Sequence, residues 1–252
     1  MLSNNTVKTK KNNVHLPHST KPGTVKSRYI HFYALILIFA GTSCASKSKK
    51  CITEGEIHYS VQYLGKVTLM PIDLMPKTLV VAFKNDNIIY ELISPFGNSG
   101  ITNLSNPSKE IYDTYLSLFT IRYFYPASPG ETYPGFEAMH GIEIHKTSKT
   151  ETICGYCCRN AQVTFPIDRS KVYDIWYTKD IPVKNPNAST PFCQIDGVLM
   201  SFFFFIGNSE FRFKAENIYR KEIPDKIFER KDKFQRVSKN DINKFISKMV
   251  NL

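Results

Sequence analysis

The mature part of the chain opens on a strict alternation. Between Gly55 and Gly65, Ile57, Tyr59, Val61 and Tyr63 fall on one side and Glu56, His58, Ser60 and Gln62 on the other. A period of two predicts a half-buried strand. Met70-Pro71 and Met75-Pro76 then break regular structure. Two strand-like runs, 78–84 and 88–94, flank Asn85-Asp86-Asn87. Asn and Asp tolerate the left-handed turn conformation, so the pair reads as a hairpin.

Residues 95–107 read as a loop rich in Gly, Asn and Ser. Ser108 then caps a predicted helix over 108–119, with Ile111, Tyr115 and Leu118 on one face. Residues 125–141 hold Pro126, Pro129, Gly130, Pro134, Gly135 and Gly141 and read as loop again. Beyond 142 the strand candidates are 152–158, 161–166, 172–178, 197–206 and 210–222, with Gly207-Asn208-Ser209 turning the last pair. Short turns between successive strands predict an antiparallel meander. Ser238 and Asp241 form a capping-box pattern for a C-terminal helix, 239–250. Its apolar stripe is Ile242, Phe245, Ile246 and Met249. The fold class expected is α+β: a curved, open antiparallel half-barrel sheet with helices 108–119 and 239–250 packed on it.

The run Phe202-Phe203-Phe204-Phe205-Ile206 puts bulky groups on both faces of a strand. It fits a strand buried on both sides, or one core face and one face lining an apolar cavity.

Charge changes the picture only after it is divided. The chain carries a net +11. Residues 1–43 hold Lys8, Lys10, Lys11, Lys21, Lys26 and Arg28 and no acid, which leaves +5 on the rest. Downstream, the bases are interleaved with acids, as in Glu229-Arg230-Lys231-Asp232-Lys233. That is a solvated mixed-charge surface and not a nucleic-acid footprint.

The N-terminus reads as a targeting segment. Residues 29–40 are a 12-residue apolar run behind a cationic stretch. A spanning helix needs about 20 apolar residues, whereas a signal-peptide core of 7–15 fits. Gly41-Thr42-Ser43-Cys44 follows and resembles a relaxed lipobox, with Gly41 where a leucine-like residue is usual. The expected division is a signal peptide over 1–43, a lipidated Cys44 with a polar tether to residue 53, and one domain over 54–252. The expected location is the outer membrane, facing the periplasm; surface exposure is the alternative. An ordinary signal peptide cut nearby, with Cys44 incidental, is the plain alternative to lipidation.

Five other cysteines are present: Cys51, Cys154, Cys157, Cys158 and Cys193. An oxidising compartment permits disulfides, and an odd number leaves one thiol over. Cys154-x-x-Cys157 lacks the second ligand pair that zinc requires. As an extended strand, it would put Cys154 and Cys158 on one face and Cys157 on the other. A bridge from Cys193 to Cys154, Cys157 or Cys158 is the bond expected. His58, His140 and His145 show no metalloprotease spacing, and no nucleophile elbow, Walker loop or dinucleotide fingerprint occurs. No cofactor or metal is implied, and a non-enzymatic role is expected.

The stretch Ile153-Cys154-Gly155-Tyr156-Cys157-Cys158-Arg159-Asn160-Ala161, followed by Trp176-Tyr177-Thr178-Lys179-Asp180-Ile181-Pro182, resembles segments of GLPGLI-type Bacteroidota lipoproteins. Glu54-Gly55-Glu56-Ile57-His58-Tyr59 and Ile227-Phe228-Glu229 are similar too. The name-giving motif is replaced by Gln194-Ile195-Asp196-Gly197-Val198-Leu199-Met200, which places the chain in a neighbouring group. The resemblance implies a lipoprotein-carrier (LolA-like) half-barrel. It also implies a lipid or other apolar small ligand and a membrane held through the anchor on Cys44. Protein partners are not indicated. Tyr59, Val61, Tyr63, Trp176, Phe203 and Phe205 are the expected cavity lining.

Overall fold

The computed structural model describes residues 52–64, 75–207 and 209–251. The expected leader, Cys44, Cys51 and most of the 69–76 break lie outside the described residues. The unit Lys50–Leu252 has its own core and holds every strand named below.

β1 (Glu54–Leu64), β2 (Thr78–Lys84), β3 (Asn87–Ile93), β4 (Ser99–Asn106), β5 (Ile111–Leu118) and β6 (Ile121–Pro126) form one antiparallel meander. β7 (Glu143–Ile153), β8 (Tyr156–Phe165), β9 (Asp168–Thr178), β10 (Val198–Ile206) and β11 (Ser209–Tyr219) form a second. β11 pairs back onto β1 and joins the two into one sheet. β12 (Gln235–Arg236) adds a short parallel edge beside β6, and α1 (Lys239–Asn251) follows. The sheet is open, ending at β12 and β7.

The sheet is strongly curved. β4 and β10 are five strand spacings apart, about 24 Å in a flat sheet. Ile101 of β4 and Phe204 of β10 nevertheless line the same cleft. The predicted open half-barrel is therefore the fold observed.

β1 alternates as its sequence requires. Ile57 and Tyr59 are buried inside, and the Tyr59 hydroxyl donates to the Leu199 carbonyl oxygen at 2.8 Å. The Asn85 turn closes the β2–β3 hairpin with φ of 55°. α1 begins as predicted: the Ser238 hydroxyl accepts from the Asp241 amide at 3.2 Å and donates to its carboxylate at 2.6 Å. Ile242 and Ile246 are buried against the sheet interior. The side chain of Met249 lies outside the described residues.

Three expectations are corrected. Residues 111–118 are strand β5 and not part of a helix; only Pro107–Lys109 forms a single 3-10 turn. Ile111 and Tyr115 share a strand face as well as a helix face, because a spacing of four satisfies both periods. Pairing with β4 and β6 decides the matter, helped by the β-branched and aromatic residues of the segment. The loop expected over 95–107 is mostly strand β4. Its Gly100 sits so close to β3 that an added Cβ would lie 2.5 Å from the Leu92 carbonyl oxygen. The run 152–158 is broken by a hairpin turn at Cys154-Gly155, both in the left-handed region with φ of 50° and 76°. Two positive φ values are the signature of a type I′ turn.

Candidate functional site

Two loops and α1 fill the hollow of the half-barrel. Loop 127–142 contributes Tyr133, Phe136 and Met139, and loop 179–197 contributes Phe192 and Ile195. Buried polar groups pin both. Asn187 donates through its side-chain amide to the Ile195 and Gly197 carbonyl oxygens, both at 2.8 Å. The Tyr133 hydroxyl donates to the Leu104 carbonyl oxygen at 3.1 Å.

The sheet's contribution to this interior is aromatic. Phe202 stacks on Phe213 at 4.9 Å, Tyr59 meets Phe202 edge-on at 5.6 Å, and Phe136 reaches Phe204 at 4.4 Å. Burial pushes the Tyr59, Tyr90 and Tyr133 phenols up from their ordinary pKa. They are neutral hydrogen-bond donors and not bases.

What remains open inside is a cleft of about 60 Å³. Its walls include Leu92, Ile101, Phe204 and Phe213, and its roof is Tyr133, Phe136 and Ile246. Leu92 and Ile101 are only half-buried, so β3 and β4 present apolar surface that the roof does not seal. The polar groups at its margin are already engaged: the Thr114 hydroxyl donates to Asn103 Oδ1 at 2.9 Å, and Thr190 donates to the Asn187 carbonyl oxygen at 3.0 Å. Among the described residues, the buried side-chain atoms left without a hydrogen-bond partner are Asn187 Oδ1 and Ser189 Oγ, in the loop that carries Thr190.

None of the six residues expected to line the cavity lines this cleft. Tyr59, Val61 and Tyr63 do face inward, Tyr59 as buried core and Val61 and Tyr63 partly buried against it. Phe203 and Phe205 face outward, because β10 pairs Phe202 with Phe213 and Phe204 with Phe211. Trp176 lies opposite Ser201, on the outward side. The parity of a five-residue apolar run depends on its register, which the run itself does not specify. The roof residues were missed too, although two aromatics in the Pro- and Gly-rich stretch Tyr133-Pro134-Gly135-Phe136 were a usable signal.

A second, open hollow lies on the outer face. β9 pairs with β10 only from Thr178 to Trp176 and then diverges. Tyr173 bridges the gap, stacked on Phe203 at 4.6 Å. A groove of about 660 Å³ runs past Tyr173, Phe203, Lys171 and Lys214, with an Arg212–Glu210 ion pair at 2.5 Å. A recess of about 460 Å³ adjoins it, bounded by Phe165, Ile167, Tyr173 and Phe205.

Four cysteines lie among the described residues. Cys154, Cys157, Cys158 and Cys193 are free thiols in this structure. The turn at Cys154 removes the shared strand face expected for Cys154 and Cys158. Cys158 is buried, and that burial pushes its thiol up to about 11. His58 lies 3.1 Å from the Glu56 carboxylate, while His140 and His145 are exposed. No group of three metal-ligating side chains occurs among the described residues.

No family model matches the chain, and no curated protein matches it in sequence. Solved structures do show likenesses. PNGF-II is similar over 78% of this chain and 34% of its own, at 15% identity and a TM-score of 0.49. The LolA superfamily protein NE2245 from Nitrosomonas europaea is similar over 74% of this chain and 94% of its own, at 13% identity and a TM-score of 0.32. The chain thus spans about one third of the length of PNGF-II and most of the length of the LolA superfamily protein.

Proposed function

We propose that this is a non-enzymatic, membrane-anchored protein of the cell envelope that takes an apolar chain into the half-barrel by lifting its roof. The anchor in this reading is a lipid on Cys44, and the protein faces the periplasm from the outer membrane. The observation that carries the ligand reading is the cleft under the roof. Its walls are mostly apolar, Asn103 and Thr190 at its margin are hydrogen-bonded within the protein, and Leu92 and Ile101 remain half-covered.

A ligand pocket holds roughly 300–1,000 Å³, so a cleft of about 60 Å³ is a closed state. The roof has a seam along which it can part. Gly135 is left-handed with φ of 98°, and its amide donates to Asn243 of α1 at 2.9 Å. A Cβ at Gly135 would stand 3.2 Å from the Ile246 side chain, so loop and helix meet backbone to side chain. Uptake would be driven by burial at about 25 cal/mol per Å² of apolar surface.

Native mass spectrometry of the purified protein, with titration of a dansyl-labelled fatty acid, tests this. The expected result is saturable uptake that Ile101→Trp, which fills the cleft, abolishes without unfolding the protein. An empty protein with no saturable uptake would overturn it. That outcome favours a second reading, an envelope interaction protein without a ligand, which the small volume of the interior supports.

A further inference from the structure

The two ends of the sheet differ in the chemistry of their turns. The topology brings the β3–β4, β5–β6 and β8–β9 turns to one end, along with the end of β1. The β2–β3, β4–β5 and β7–β8 turns lie at the other. The second set reads Asn85-Asp86, Pro107-Ser108-Lys109-Glu110 and Cys154-Gly155. The first set reads Ser94-Pro95-Phe96-Gly97-Asn98, Phe119-Thr120 and Pro166-Ile167, with no charge in any turn.

Most of the large exposed apolar side chains among the described residues follow that division, Tyr219 near the other end being 45% exposed. Phe96 is 71% exposed, Phe119 68% and Ile167 100%, each at the tip of its own turn at this end. Ile93, beside the first turn, is exposed as well. Phe119 is a second, independent anomaly. It has φ of 53° at the first central position of a two-residue hairpin. Glycine suits that position, and an L-residue in the left-handed region costs free energy. An exposed phenylalanine held in a strained turn contributes nothing to the core. Backbone strain persists where function retains it.

We propose that this end of the sheet docks on a lipid bilayer, with Phe96, Phe119 and Ile167 entering the headgroup region. The apolar groups are single protrusions on separate turns. A protein interface needs a contiguous, complementary patch, whereas a fluid bilayer accepts separate protrusions. Charge agrees with an anionic surface. Exposed Arg122 flanks the β5–β6 turn, and the nearby acids are neutralised, Asp168 by Lys171 at 3.3 Å and Glu143 by Arg169 at 2.6 Å. This inference does not depend on uptake into the cleft.

Flotation of the Lys50–Leu252 unit, which lacks leader and anchor, tests the proposal. The probe is a vesicle of one part phosphatidylglycerol to three parts phosphatidylcholine. Flotation is expected, with a loss of about tenfold or more in the combined Phe96→Ser, Phe119→Asn and Ile167→Ser variant. Tryptophan emission from Phe119→Trp, in a Trp176→Phe background, should shift to the blue on adding vesicles. Failure to float would overturn the proposal, as would flotation that the combined variant leaves unchanged. A wild-type dimer that the variant converts to monomer, without vesicle binding, would assign the rim to a second copy instead.

Discussion

The inner and outer faces of the same sheet are closed by different means. The inner face is packed with rings: Tyr59, Phe202, Phe204 and Phe213 interlock under a roof of loop and helix. Its stability comes from burial and shape. The outer face over β2 to β6 carries only a thin apolar layer of Ala82, Ile89, Leu104, Ile111, Tyr115, Ile223 and Phe228. What clamps the segment 220–234 there is a charge. Asp113 is fully buried and accepts from Arg230 Nε at 2.8 Å and Nη2 at 3.0 Å. The Tyr115 hydroxyl also donates to Asp113, at 2.7 Å. One face therefore degrades by degrees as volume is removed, while the other adds to its thin apolar layer a buried ion pair and polar contacts from Glu54, Lys84, Glu91 and Asn106.

The largest expected effect is on the inner face. Phe213→Ala removes a ring that touches Phe202 and Phe204 and should cost about 3–5 kcal/mol in urea unfolding. A loss below about 1 kcal/mol would show that the interior is loosely packed and already open. On the outer face, Arg230→Ala leaves Asp113 buried without its counter-charge. It should cost about 3 kcal/mol and raise protease cleavage within 220–234. Unchanged proteolysis would mean that the apolar layer and the remaining polar contacts hold the strap without the pair.

Thiol chemistry separates the buried Cys158 from the exposed Cys157 and Cys193. At pH 8, iodoacetamide should modify Cys157 and Cys193 and spare Cys158. The sign of the pH effect follows from the raised thiol. Its folded value of about 11 lies above the unfolded one, so the folded state keeps its proton longer. The Cys158 contribution to stability is complete below about pH 8.5 and declines as pH rises toward 11. Cys158→Ser should flatten that decline; an equally steep loss in the variant would assign it to other groups.

The smallest effect concerns the turn at the apolar end. Phe119→Gly should stabilise the fold by about 0.5–1 kcal/mol by relieving a left-handed phenylalanine. It should weaken vesicle binding at the same time. A loss of stability instead would show that Phe119 is part of the packing.

Much of the fold was legible along the chain. β1 announced both of its faces, Asn85-Asp86 its turn, and Ser238 with Asp241 the start of α1. Each of these signals is local, carried by residues within a few positions of one another. The misreadings share a cause. Ile111, Tyr115 and Leu118 fit a helix until β4 and β6 are placed on either side. The polar run containing β4 looks like loop until its pairing with β3 and β5 is known. Cys154-Gly155 is a turn only once β7 and β8 are known to pair.

The sequence by itself determined the strand-rich class, the inward side of β1, the capping of α1 and the leader-like composition of the first 43 residues. Only the tertiary structure decided which two phenylalanines of 202–205 face the hollow, because that depends on register with β11. It alone joined Asp113 to Arg230 across 117 positions. It alone gathered Phe96, Phe119 and Ile167 at one end of the sheet. Local propensity acts over a few residues, whereas register, curvature and shared ends are set by contacts between strands distant in the chain.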